Sequence, residues 1–213
     1  MAIKWENTIV TAVKWGSINC TAVYWGNTKV FPNLNYTSAD LSLFNIGRYY
    51  MYAEKGRDGW FNGEEASYST TEFYGKAICG YGSDDFDNIW YSHYNAYYIT
   101  KSKVTLDSFS TVTISYRMHC YPSNNKTPYG YICFYVGSNN TISSPNSRRI
   151  EKTEIIVEGM NSGDIPTTYN TKSIDISSII GEYYIGLIFS TEWDLSHQNN
   201  AYAQSWVEYL KLD

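Results

Sequence analysis

Between positions 111 and 120, Val112, Ile114, Tyr116, Met118 and Cys120 alternate with Thr111, Thr113, Ser115, Arg117 and His119. A period of two is the pattern of a strand with one buried and one polar face, so His119 and Arg117 are expected on the exposed side. The same reading predicts strands at 129–136, 153–158, 172–177, 182–190 and 205–212, joined by stretches rich in Ser, Asn and Gly. In the first of these, Ile132, Phe134 and Val136 fall on one face, and Tyr129, Tyr131, Cys133 and Tyr135 on the other, which is expected to point outward. From Tyr50 to Tyr98, Gly56, Gly59, Gly63, Gly75, Gly80 and Gly82 punctuate an aromatic-rich segment that reads as short strands and broad loops. No segment carries an apolar 3.6-residue period over three turns, so helices should be short. The pattern is all-β, and without the Cys, Trp, Cys spacing of an immunoglobulin domain it favours a jelly-roll-like β-sandwich over residues 47–213.

Ahead of it lies an internal repeat. Ala2-Ile3-Lys4-Trp5-Glu6-Asn7 is followed by Ala12-Val13-Lys14-Trp15-Gly16-Ser17 and Ala22-Val23-Tyr24-Trp25-Gly26-Asn27, each copy ten residues after the last. Gly16-Ser17 and Gly26-Asn27 have the character of two-residue hairpin connections, because Gly takes positive φ without strain. Residues 1–32 are therefore expected as a small β-meander in which one short sheet presents Trp5, Trp15 and Trp25 in a row. So few short strands are marginal in water, and the module needs something to pack on. Residues 33–46 read as a polar connector.

Composition supports the β assignment and removes several functions. The chain of 213 residues holds 22 Tyr, 7 Trp and 8 Phe but only 17% charged residues. Aromatic side chains suit pleated, half-buried surfaces, while Gly and Asn supply turns. A net charge of −5, with no basic cluster beyond Arg148-Arg149, leaves no electrostatic footprint for a phosphate backbone, so nucleic acid is not an expected partner. No apolar run is long enough for a membrane helix, and the first residues lack the features of a signal peptide, so neither membrane insertion nor export is expected. Cys20, Cys79, Cys120 and Cys133 have no paired spacing and read as free thiols.

Candidate chemistry is sparse. His93, His119 and His197 have no companion motif, and the nucleophile elbow, zinc-protease helix and phosphate-binding glycine loop are all missing. Acid neighbours such as Glu64-Glu65, or Glu192 with Asp194, read as solvated loop residues rather than a glycosidase pair. No enzyme is expected. Asp84, Asp85 and Asp87, near Gly80 and Gly82, are the oxygen donors that calcium could use; no other cofactor is implied. Tyr129, Tyr131 and Tyr135, with Trp90 and Tyr94 in the run 90–98, are candidates for sugar recognition, since flat rings stack on pyranoses while hydroxyl and amide groups bind their hydroxyls.

The stretch TAVKWGSINCTAVYWGNTKVFP resembles N-terminal segments of structural proteins in tailed bacteriophages and prophages of gut bacteria. The pattern of 112–116, 173–189 and 205–212 resembles the C-terminal β-sandwich domains of phage virion proteins and carbohydrate-binding jelly rolls. These resemblances imply a non-enzymatic virion protein that is homo-oligomeric and contacts other virion proteins. Trp5, Trp15 and Trp25 would dock it into the tail or capsid surface, and the sandwich would be displayed toward host surface glycans. A stand-alone bacterial carbohydrate-binding module is the alternative.

Overall fold

The computed structural model describes residues 34–51, 66–84, 88–121, 129–142, 152–158, 164–192 and 201–213, together with six short strands between positions 4 and 31. Those six strands pair as β1 (Lys4–Trp5) with β2 (Thr8–Ile9), β3 (Lys14–Trp15) with β4 (Ile18–Asn19), and β5 (Val23–Trp25) with β6 (Thr28–Phe31). The β-meander module is thus present as three consecutive hairpins, one per ten-residue repeat. Trp5, Trp15 and Trp25 stand opposite Thr8, Ile18 and Thr28 at the turn end of each ladder. The ladders are three separate two-stranded sheets, which corrects the expectation of one sheet carrying a tryptophan row. The ten-residue period is spent within a hairpin, on two strands and their connection, rather than between neighbouring strands of one sheet.

The remaining strands are β7 (Leu34–Thr37), β8 (Phe44–Met51), β9 (Ser67–Tyr68), β10 (Phe73–Asp84), β11 (Asn88–Thr100), β12 (Val104–Thr105), β13 (Thr111–Tyr121), β14 (Tyr129–Gly137), β15 (Lys152–Glu158), β16 (Asn170–Asp175), β17 (Glu182–Glu192) and β18 (Ala201–Leu212). They form two antiparallel layers. In one, β16, β13 and β18 lie side by side, with β10 and β7 sharing the other edge of β18. The second runs β8, β11, β17, β14, β15. The two layers are joined by the β10–β11 hairpin. Residues 78–84 of β10 pair with 88–94 of β11, and the two strands then diverge, β10 toward β18 and β11 toward β8 and β17. The all-β, jelly-roll-like sandwich read from the sequence is the fold, and the segment expected as short strands and broad loops contains the 12-residue β10 and most of the 13-residue β11.

The expected connector at 33–46 is, from Leu34 onward, part of the sandwich. Leu34 to Thr37 pair with Leu212 to Tyr209 of the last strand, and Leu34, Tyr36, Leu41 and Phe44 are buried in the core. Between β7 and β8, residues Ser38–Leu43 make a 3₁₀ turn closed by a capping box: Thr37 Oγ1 accepts the Ala39 N–H, and Asp40 Oδ2 accepts the Thr37 N–H. Among the described residues no helix is long and apolar enough to cross a membrane.

Between the layers, inward positions alternate as a two-residue period requires. Val112, Ile114, Tyr116, Met118 and Cys120 meet Ile132, Phe134, Val136, Ile185, Leu187 and Phe189. A chain of edge-to-face rings threads this core from Tyr36 through Phe44, Phe73 and Tyr98 to Phe189, with centroids 5.1–5.7 Å apart. Phe189 seats against Gly75, where an added Cβ would lie 2.5 Å from the ring. That close approach requires glycine.

A second apolar cluster covers the opposite face of the β8–β15 layer: Tyr49, Tyr97, Ile99, Cys133, Tyr135 and Ile188, all buried. This corrects the outward tyrosine stripe. Cys133 is fully buried, and Tyr135 is 6% exposed and donates its phenol proton to Asn139 O at 2.9 Å. The central strands of this layer are buried on both faces.

Candidate functional site

The outer face of the other layer has a different character, and it is built by register. Tyr74 on β10 stands opposite Trp206 on β18, which stands opposite Arg117 on β13, so the three form one row across three strands. Lys76, Gln204 and His119 form the next row. Their chain neighbours Phe73, Met118, Ser205 and Val207 are all buried, with Phe73, Met118 and Val207 in the core, which puts the row on the opposite face.

A register shift between Ser115 and Tyr116 marks a β-bulge opposite Glu208. It lets Val207 and Leu210 both face the core while Trp206 remains on the outer side.

Contacts within the row are specific. The Tyr74 and Trp206 rings lie 5.2 Å apart at 44°, and the Arg117 guanidinium sits 4.6 Å from the Trp206 centroid and 5.2 Å from that of Tyr169. Held between two rings, the guanidinium is further fixed by a 2.9 Å hydrogen bond from Nη1 to Pro166 O, from the segment leading into β16. Gln204 Nε2 donates to the Tyr74 hydroxyl at 3.0 Å, and Lys76 Nζ lies 4.5 Å over the Tyr202 ring. At the bulge, Ser115 Oγ donates to Glu208 Oε2 at 2.8 Å. Trp206 is nearly buried beneath its neighbours, whereas Tyr74, Lys76, Arg117, Tyr169, Tyr202 and Gln204 are half-exposed. The result is an ordered band of flat rings, an amide and a stacked cation.

The start of β10 is held from inside. The Tyr98 hydroxyl donates to Tyr74 O at 2.6 Å, with Ser69 O at 2.8 Å sharing the proton, and accepts from Ser69 N–H at 3.1 Å and Tyr74 N–H at 3.3 Å. Ser69 Oγ in turn accepts the N–H groups of Thr71 and Glu72. Burial pushes the Tyr98 phenol up to about 12 against the pull of its hydrogen bonds to Tyr74 and Ser69. Burial likewise raises Tyr49, with the Cys133 thiol adding to it, and raises Tyr97 despite its hydrogen bond with the Ile142 backbone.

The residues singled out from sequence are placed elsewhere. Tyr131 is half-buried beside the second cluster that contains Tyr135. Tyr129 stands opposite Glu192, Trp90 opposite Gly82, and Tyr94 opposite Ile78 and Tyr50; the side chains of Tyr129, Trp90 and Tyr94 lie outside the described residues. So do those of Trp5, Trp15 and Trp25. Asp84 ends β10 opposite Asn88, and Asp85 and Asp87 lie outside the described residues. Cys120 and Cys133 are buried thiols outside any disulfide, as read; Cys20, His197 and the side chains of Cys79 and His93 fall outside the description. His119 is 2% exposed, which corrects its expected exposure: it sits within the second row, opposite Gln204.

Sequence reasoning missed Tyr74, Arg117, Tyr169 and Trp206 as a group because they come from distant parts of the chain. The available signal was the break in alternation at Trp206-Val207-Glu208-Tyr209-Leu210, which marks the bulge.

Fold and face together define an all-β sandwich with an aromatic and cationic outer sheet surface. No family model matches the chain, and no curated protein matches it. Among solved structures it is similar to a cleaved adhesin domain of Lys-gingipain from Porphyromonas gingivalis, at 12% identity and a TM-score of 0.37, over 85% of this chain and 97% of that one. At that distance the likeness carries no argument about what this chain does.

Proposed function

We propose that this chain is a non-enzymatic bacteriophage virion protein whose sandwich binds host surface glycans and whose N-terminal hairpins dock it into the particle. The observation that carries the glycan reading is the Tyr74–Trp206–Arg117 row. Preorganised flat rings next to amide, phenol and guanidinium donors are the complement of a pyranose, which offers an apolar ring face and a rim of hydroxyls. At the edge of this band Glu208 is engaged by Ser115, whereas glycoside hydrolysis needs two carboxylates across a cleft. Repeated copies on a symmetric particle would turn weak single-site affinity into firm attachment. The virion reading rests on the N-terminal repeat, whose hairpins are too small to be stable alone and so call for a partner surface.

Binding to an array of bacterial surface glycans tests the first part. Tyr74→Ala should weaken binding about tenfold, the scale of one lost ring stack, while the melting temperature changes little because the ring is half-exposed. Binding left intact by Tyr74→Ala, or no binding of any glycan by the wild-type chain, would reject the site.

A further inference from the structure

We infer that the row reads an acidic saccharide, with a sugar carboxylate seated on Arg117 and the pyranose ring lying along Tyr74; this rests on the glycan-binding reading above. Arg117 is held by stacking on Trp206 and Tyr169 and by one hydrogen bond to Pro166 O, and among the described residues no carboxylate pairs with it. Among the described residues its buried Nε–H has no partner, and Pro166 O is the one hydrogen-bond acceptor that the guanidinium meets. The two ring contacts and the Pro166 hydrogen bond hold the guanidinium in advance, so little rotamer entropy is lost when a carboxylate arrives, and the bond formed is charge-assisted. The acid at the band's edge, Glu208, is engaged by Ser115 rather than by Arg117. The Tyr74 ring, on the far side of Trp206 in the same row and anchored by Gln204, supplies the flat face that a uronic-acid-type sugar needs and a simple anion does not.

The test titrates the full chain, followed by tryptophan fluorescence, with paired oligosaccharides: uronate-containing ones and the same compounds with their carboxyl groups reduced to alcohols. The acidic member of a pair should bind at least tenfold tighter. Arg117→Gln should abolish the preference, and Arg117→Lys should retain part of it. Polyglutamate, an anion without a sugar ring, should not compete. Because the wild-type comparison needs no variant, misfolding of either Arg117 substitution leaves the proposal open to refutation. Equal binding of both members overturns the acidic specificity while leaving the glycan reading standing, and so does full competition by polyglutamate. If no acidic or neutral saccharide binds, the glycan reading itself fails and this inference falls with it.

Discussion

Tyr98 shows how one side chain couples the core to the outer face. Its ring is fully buried against Phe73 and Phe189, yet its hydroxyl reaches the turn at 69–74 and ties the backbone of Ser69 and Tyr74. Replacing it by Phe keeps the ring and leaves those backbone groups short of a partner, which should cost about 1–3 kcal/mol. The pH dependence has a defined sign. The folded pKa of about 12 lies above the ordinary phenol value of 10.0, so over that interval the unfolded chain releases a proton that the native state retains. The stabilisation is therefore complete below pH 10 and lost as pH rises through 12. Urea titrations of wild-type and Tyr98→Phe proteins should show a gap that narrows across that window. A gap that is constant with pH, or absent at pH 7, would mean that the phenol does not clamp the turn.

At the scale of elements, alternation was legible wherever a strand buries one face. The inward set of β13 is the one its sequence indicates, and the six strands read after position 106 all exist. Alternation misled on β14, where Tyr131, Cys133 and Tyr135 were assigned to solvent by period-two counting. The warning lay in the unbroken apolar run Tyr131-Ile132-Cys133-Phe134-Tyr135-Val136, matched by Tyr183-Tyr184-Ile185-Gly186-Leu187-Ile188-Phe189 on β17. Such runs belong to strands covered on both sides. The outer-face aromatic band was illegible for another reason: its members meet only through cross-strand register, and a bulge shifts the parity of β18 midway. If the second cluster is a true core layer, Tyr135→Ala should destabilise the protein by about 3 kcal/mol, the scale of a buried aromatic truncation, and leave intrinsic glycan affinity unchanged. A soluble, equally stable variant with weakened glycan binding would instead return that tyrosine to the surface role read from sequence.

For the molecule as a whole, the boundary between module and sandwich decides what each part can do alone. Composition placed it near position 47, because 33–46 is polar overall; the pairing of β7 with β18 places it before Leu34. Leu34, Tyr36, Leu41 and Phe44 are 2–7% exposed. Burying each contributes about 1.5–3 kcal/mol, so together they rival the roughly 5–15 kcal/mol that separates a folded domain from its unfolded chain. Removing them would also bare the edge of β18 beside Leu210 and Leu212. A chain of residues 33–213 should therefore unfold cooperatively near the wild-type midpoint, whereas one of residues 47–213 should be unfolded or aggregated. Among the described residues the hairpins at 4–31 share no ladder with the sandwich, so their stability has to come from packing outside their own ladders. Light scattering of the full chain and of 33–213 separates the sources: a discrete oligomer that becomes monomeric on truncation places that packing between copies. A full-length monomer with an unchanged sandwich places it on a different protein, and loss of folding in 33–213 would show instead that the hairpins complete the core.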